Sequence, residues 1–235
     1  MPLVDVLIIG AGPAGLSAAL ALARQLHTAI VFNSSLFRNA RSAHMHTIPT
    51  WDHKDSAAFR AATRKEISER YKTISFEDRQ IAKVEKTSAG DFTATAVDGT
   101  TFTGRRVLLA TVADVFGEKD TGITIDNREI ASLALGPEGS GVTITFADGS
   151  SAHEAFLAHK PPTKINGPFA EQLGVELSPG GDIKVTPPYG ATNVKGVYAA
   201  GDCATPMKNV IQAMHMGTFG AVGMAFDLQA EGPKM

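Results

Sequence analysis

The sequence predicts an α/β fold: a three-layer arrangement of a parallel sheet and helices with an antiparallel β-meander attached, joined to a truncated second domain. Three observations predict it. An apolar run at residues 4–9 opens directly into Gly10-Ala11-Gly12-Pro13-Ala14-Gly15 and a helix-forming stretch. The hydrophobic period then changes to two from residue 74 onward. Buried-type runs return later, at residues 107–111 and 196–200. The bulk composition suits such a globule, because 235 residues bury a sizeable core. With 22 basic against 24 acidic residues there is no electrostatic footprint for nucleic acid or an anionic membrane, which leaves a small-molecule substrate as the expected partner.

Each element follows in chain order. The strand over residues 4–9 must turn sharply at Gly10, and a pyrophosphate must approach the backbone at Gly12 with no Cβ in the way. Gly15 lets the next helix, residues 16–26, sit close to the sheet, and the N-terminus of that helix favours negative charge. Residues 28–32 form a second parallel strand and complete a βαβ unit. At its end, where an acidic side chain ordinarily holds an adenosine ribose, stands Asn33, whose carbonyl oxygen still accepts a hydroxyl proton. A loop rich in polar and ring-bearing residues (37–53) precedes a helix over residues 56–71. Strands alternate at 74–76, 81–86, 92–97 and 101–103, with Asp98-Gly99 as a hairpin turn, and residues 107–111 return to the sheet.

Residues 92–102 and 142–152 share a strand, Asp-Gly, strand pattern. No second glycine fingerprint precedes Val142, so a complete second βαβ unit does not fit before it. From Pro161 the chain reads as turns around one short helix, residues 169–173. Residues 196–200 form the last strand, ending in Gly201-Asp202, and residues 209–229 form a long helix. Gly217, Gly220 and Gly223 lower its helix propensity and imply close packing against a backbone or ligand. The lone cysteine, Cys203, excludes an internal disulfide, a C-x-x-C pair and a cysteine metal cluster, and no metal is expected. Asp5 interrupts the first apolar run, no basic leader precedes it, and no run reaches a membrane span, so a cytoplasmic protein is expected.

The glycine motif, Leu109-Ala110-Thr111, and Gly196-Val197-Tyr198-Ala199-Ala200-Gly201-Asp202 occur in the order found in low-molecular-weight thioredoxin-reductase-like flavoproteins, which this chain resembles. Two longer stretches are more specific. Arg38-Asn39 through His44-Met45-His46-Thr47 to Thr50-Trp51-Asp52-His53, and Ala204-Thr205-Pro206-Met207-Lys208-Asn209-Val210, are similar to the fungal branch of dithiol oxidases that close disulfides in epidithiodiketopiperazines such as gliotoxin. The resemblance covers residues 1 to about 111 and about 122 to 229. It implies a Rossmann-like FAD-binding domain, FAD as cofactor, and a homodimer. It also implies Gly10, Gly12, Pro13, Ala14 and Gly15 on the pyrophosphate, Asn33 and Arg38 near the adenosine, and Asp202 on a ribityl hydroxyl. His46, Thr47 and Thr50 are implied beside the isoalloxazine, with Lys208, Asn209 and Val210 near its pyrimidine edge. Asn39, Ala110, Thr111 and Gly201 complete the implied cofactor-binding set.

Two departures from that family bear on function. Its redox-active C-x-x-C is absent, and its NAD(P)H domain is cut to residues 112–122 where the nucleotide-binding core belongs, with Val112 in place of the usual glycine. The expected division is an FAD-binding domain of residues 1–111 and 160–235, with residues 112–159 a remnant of strands and a hairpin. The leading expectation is an FAD-dependent, NAD(P)H-independent oxidase or dehydrogenase acting on a small natural-product intermediate. An FAD-containing isomerase or cyclase without net redox, and a non-catalytic flavoprotein partner, are the alternatives. For proton transfer His46 is the first candidate, followed by His44, His53 and Lys208.

Overall fold

The computed structural model describes residues 2–37, 40, 44–111, 113–115, 126, 128–154 and 163–232. Two compact units divide the chain: Met1–Asp114 with Lys164–Met235, and Val115–Thr163. The first unit opens with β1 (Val4–Ile9), α1 (Pro13–Arg24), β2 (Ala29–Phe32) and α2 (Ser56–Arg70). The meander follows as β3 (Ile74–Glu77), β4 (Ile81–Lys86), β5 (Phe92–Ala96) and β6 (Thr101–Leu109), and β7 (Ala113–Val115) leads out of it. In the second unit lie β8 (Ile130–Leu135), β9 (Val142–Phe146) and β10 (Ser151–Glu154). The chain returns through β11 (Thr163–Ile165), α3 (Phe169–Leu173), β12 (Val197–Ala199) and α4 (Val210–Glu231). Strands β7 and β11 pair with each other in a two-stranded sheet.

The main sheet runs β3-β2-β1-β6-β5-β4, with β12 also on β6. Its β3, β2, β1, β6 and β12 are parallel, and β6, β5 and β4 antiparallel. A single long β6 replaces the two strands predicted at 101–103 and 107–111. Its first half pairs with β5 (Thr95↔Thr101 to Phe92↔Gly104) while its second half pairs with β1 (Arg106↔Val6 to Leu109↔Ile9). The apparent break, Arg105-Arg106, is buried and paired: Arg105 reaches Asp5 at 3.3 Å and donates to the Gly232 carbonyl at 2.9 Å, and Arg106 reaches Glu231 at 2.8 Å. These ion pairs account for Asp5 in an apolar run and fasten the end of α4 to the sheet.

Strand β1 is buried on both faces, as a central parallel strand requires. Leu7 and Ile9 join Phe92, Phe102 and Ile183 in one cluster, and Val6 and Ile8 join Leu16, Leu22, Met224 and Leu228 of α1 and α4 in the other. Helix α1 begins at Pro13, three residues before the predicted start, because proline suits the first helical position, whose N–H is unpaired anyway. Two of the α4 glycines pack as the sequence implied, a Cβ on Gly217 lying 2.0 Å from the Ala14 carbonyl oxygen and one on Gly223 2.6 Å from Tyr189 Cβ, while one on Gly220 would meet only ordinary contacts, Leu108 at 3.5 Å and the Tyr189 oxygen at 3.7 Å.

The second unit is a three-stranded antiparallel sheet in the order β10-β9-β8, closed by an Asp148-Gly149 turn in which Ser150 N–H donates to Asp148 at 2.8 Å. Strand β8 escapes sequence reading because all its residues are exposed, so no alternation of burial shapes its composition. Among the described residues no helix is long and apolar enough to cross a membrane, and no group of His, Cys, Asp or Glu is placed to hold a metal ion.

Candidate functional site

The C-terminal ends of the parallel strands converge on one crevice, where open α/β sheets bind ligands. Gly10 follows β1 with φ +122°, and a Cβ there would stand 2.3 Å from the Ala110 carbonyl oxygen at the end of β6. A Cβ on Gly15 would stand 1.9 Å from the Gly10 oxygen, so strand, turn and helix touch through their backbones. Gly12 is the opposite case: its Cβ would meet nothing within 4 Å, and it faces the open cleft. No side chain caps the N-terminus of α1. Free helix N–H groups beside an unfilled space are what a pyrophosphate occupies.

The cleft extends both ways from Gly12, Phe37, Ala110 and Thr111, which line both of its halves. Toward one end its walls are Pro13, Ala14, Asp202, Asn209 and Val210. Asn209 is the N-cap of α4, accepting from Gln212 N–H at 2.8 Å, so a second helix N-terminus meets this half. Toward the other end lie Gly10, Asn33 and the β3–β4 turn with Arg79 and Gln80. Gly15 and Gly201 are buried in support, and a Cβ on Gly201 (φ +78°) would stand 2.9 Å from that of Ala14. Arg38 and Asn39 lie outside the described residues.

At the far end the acidic residue missing after β2 arrives from β3. Asn33 Nδ2 donates to Asp78 Oδ1 at 2.8 Å, and Arg64 clamps the same carboxylate with two bonds of 2.6 and 2.9 Å. Those bonds, the Arg64 guanidinium first, hold Asp78 at a pKa of about 2. Sequence reasoning missed Asp78. The parallel register Ala29↔Ile74 to Phe32↔Glu77 continues to set residue 33 beside residue 78, and pairing β2 with β3 would have found it.

The ring-rich loop is closed by its own backbone: Met45 N–H donates to Lys54 O and His53 N–H to Met45 O, each at 2.7 Å, and Thr47 N–H donates to Asp52 at 2.8 Å. Thr47, Thr50 and His53 take left-handed φ values of 65°, 67° and 59°. Such backbone strain persists only where the surroundings enforce it. The closure stacks His44 on His53 (centroids 4.2 Å apart) and sets His46 5.3 Å from His53, with His46 Nδ1 3.8 Å from Asp52 Oδ1. Met45 and Ile48 are buried with Phe59, and Val210 and Met214 pack against them, so the loop is seated on the first turns of α4. His44, His46, Thr47 and Thr50 are exposed beside the cleft-lining Val210 and are not themselves cleft walls.

Lys208 has partners on the turn that carries Asp202. Its ammonium donates to Asp182 Oδ1 at 2.7 Å, Asp202 O at 2.6 Å and Thr205 O at 2.9 Å. An ammonium held by a carboxylate and two carbonyls ties the turn that carries Asp202 to Asp182. Cys203 lies fully buried in that turn, 3.4 Å from Leu109 O, and burial pushes its thiol up to about 11.

A family model described as pyridine nucleotide-disulphide oxidoreductase matches residues 4–135 and 160–217. Thioredoxin reductase sirT of Leptosphaeria maculans is 34% identical, over 94% of this chain and 93% of the relative. Thioredoxin reductase tcpT of Claviceps purpurea is 34% identical (92% and 91%), and thioredoxin reductase aclD of Aspergillus oryzae 31% (98% and 99%). The match to sirT runs over 305 positions against the 235 residues of this chain, so at least the difference, 70 positions, has no counterpart here. The oxidoreductase of Agrobacterium tumefaciens (TM-score 0.79, 21% identity, covering 98% of this chain and 100% of that one) shares the fold. So does HlmI (TM-score 0.80, 22% identity, 97% and 93%). The dinucleotide is FAD, and the chemistry of the cleft fits it: a Cβ on Gly12 would meet no protein atom within 4 Å beside the α1 N-terminus, and the polar side chains of Asp202 and Asn33 line its opposite halves. A matched glycine turn, a cleft with two helix N-termini and these relatives together establish that the chain belongs to the pyridine nucleotide-disulphide oxidoreductase family, as an FAD-binding oxidoreductase.

Proposed function

We propose that the protein oxidises a small natural-product intermediate without a nicotinamide and without a dithiol relay. The observation that carries this reading is Cys203. It is the one cysteine of the sequence, fully buried, and its thiol is held protonated at neutral pH. A dithiol relay needs two accessible sulfurs, and this chain supplies neither. The 70 or more positions of sirT without a counterpart support loss of the nicotinamide module. So does the second unit, in which the described elements are three antiparallel strands and a short 3-10 turn at Pro137–Gly139. We read residues 112–159 as what remains of that module.

Bound FAD would supply two-electron chemistry with dioxygen as terminal acceptor, the substrate's two electrons leaving as hydrogen peroxide together with two protons, one carried with the electron pair and one released through the protein's base. The protein's part is to hold and deprotonate the substrate. His46 is the proposed base: its imidazole is exposed, lies within 3.8 Å of the Asp52 carboxylate, and sits on a loop anchored to α4 at the cleft. Asp202, tethered through Lys208, orients the cofactor's polyol.

A homodimer completes the proposal. Residues 210–226 of α4 contain no Asp, Glu, Lys or Arg, yet Ile211, Phe219 and Phe226 are exposed, and an uncharged helix face with exposed large apolar side chains calls for cover. Sedimentation of a monomer at micromolar concentration rejects the dimer. For the reaction, the FAD-loaded protein is mixed anaerobically with NADPH or NADH in a stopped-flow instrument. The flavin absorbance should persist, then bleach with dithionite and return on admission of air. Rapid bleaching by either nicotinamide overturns the reading.

A further inference from the structure

We infer that Asp78, held by Arg64, is the positioning residue of the adenosine end: it fixes the Asn33 carboxamide so that its oxygen is presented to a ribose hydroxyl. An asparagine amide has two near-equivalent orientations, and only one offers an acceptor to a diol. Here the orientation is determined by its partners. Nδ2 donates to Asp78 Oδ1 at 2.8 Å, and Oδ1 accepts the Ser35 N–H at 3.0 Å, so a flipped amide would set oxygen against carboxylate and N–H₂ against N–H. One lone pair of Oδ1 stays available, on a residue that lines the cleft.

Asp78 is itself immobilised. The two Arg64 bonds, 2.6 and 2.9 Å, join α2 to the end of β3, and the Arg64 guanidinium also lies over the Phe76 ring at 4.9 Å. The low pKa of Asp78 keeps it an acceptor throughout the physiological range. Asp78 does not line the cleft, so it acts through Asn33 and does not touch the cofactor. The ribose contact that most dinucleotide sites take from one carboxylate at the end of the second strand is divided here between two strands: the amide on β2 faces the ligand, and the charge on β3 stands behind it.

The test is a double-mutant cycle read by FAD dissociation constants, measured from quenching of flavin fluorescence on adding FAD to the apoprotein. Asn33→Ala and Asp78→Ala should each weaken FAD by about tenfold, the size of one lost charge-supported hydrogen bond. The double variant should be no weaker than Asn33→Ala alone, because Asp78 has nothing left to orient. Asn33→Asp alone sets two carboxylates side by side and should weaken binding. Adding Asp78→Asn restores the pair with reversed roles and should recover affinity to within about twofold, which also guards against a variant that merely fails to fold. Additive losses in the cycle, an unchanged constant for Asp78→Ala, or no recovery in the reversed pair overturns the inference.

Discussion

Replacing Gly12 by Ala should weaken FAD binding strongly while leaving the fold intact, and the size of both effects follows from the local geometry. Gly12 has φ −78° and ψ −176°, a conformation open to alanine, and its Cβ would meet no protein atom within 4 Å. At this N-cap position alanine is worse than glycine by about 0.5–1 kcal/mol. The loss is offset by about 0.4–1 kcal/mol from a less flexible unfolded chain. Apoprotein stability should therefore stay within about 0.5 kcal/mol, or roughly 2 °C in Tm for a chain of this length. The methyl group would occupy the space the pyrophosphate needs, and displacing it from the α1 N–H groups should weaken FAD at least 100-fold, about 3 kcal/mol. Gly10→Ala is the control, since φ +122° and a Cβ 2.3 Å from the Ala110 oxygen should lower apoprotein stability as well. Thermal melts of the apoproteins and fluorescence titration with FAD separate the two outcomes. A Gly12→Ala protein that binds FAD like the parent refutes the placement of the pyrophosphate.

Lys208→Met should lower stability by about 3–5 kcal/mol, because it leaves the Asp182 carboxylate buried without its cation; adding Asp182→Leu should recover much of the loss in urea unfolding. Cys203 in the native protein should resist iodoacetamide at pH 8, since burial pushes its thiol up to about 11, and Cys203→Ala should leave air reoxidation of the reduced flavin unchanged. The folded-state pKa of Asp78 is depressed, so its contribution to stability is complete above the ordinary carboxylate value of about 4 and is lost as pH falls toward about 2. Urea midpoints measured across that window should fall more steeply for the parent than for Asp78→Asn, and parallel curves would exclude the effect.

The glycine turn was legible because its requirements are local: a strand, three positions without Cβ, and a helix start within a few residues. Two of the three α4 glycines were legible for a similar reason, since their defects in helix propensity marked a close approach, to Ala14 at Gly217 and to Tyr189 at Gly223, whereas Gly220 has only ordinary contact. What escaped depends on contacts distant in sequence. Arg105-Arg106 reads as a break until Asp5, Asp227 and Glu231 are seen to neutralise it. Nothing near Lys208 in the sequence announces Asp182, which lies 26 positions away and is found within 2.7 Å of it. Asp78 is silent in any local window, and only the register of β2 on β3 brings it to Asn33. Composition could not reveal β8 either, because a strand exposed along its whole length buries no periodic face.

The FAD-binding unit holds every described member of the two large apolar clusters, and this bears on whether that unit stands by itself. Among the described residues, each buried member of both clusters falls in Met1–Asp114 or Lys164–Met235, and none comes from Val115–Thr163. The chain leaves and re-enters that unit through β7 and β11, which pair with each other, so the two ends of the excursion lie about 5 Å apart, a single strand spacing. Replacing residues 116–162 with a short Gly-Ser linker removes none of the described members of these clusters and spans a distance that a few residues cover. The shortened protein should bind FAD with the affinity of the parent and unfold in one cooperative transition. If it instead loses FAD or unfolds with a broad, non-cooperative profile, the second unit supports the cofactor fold in addition to whatever part it takes with the substrate.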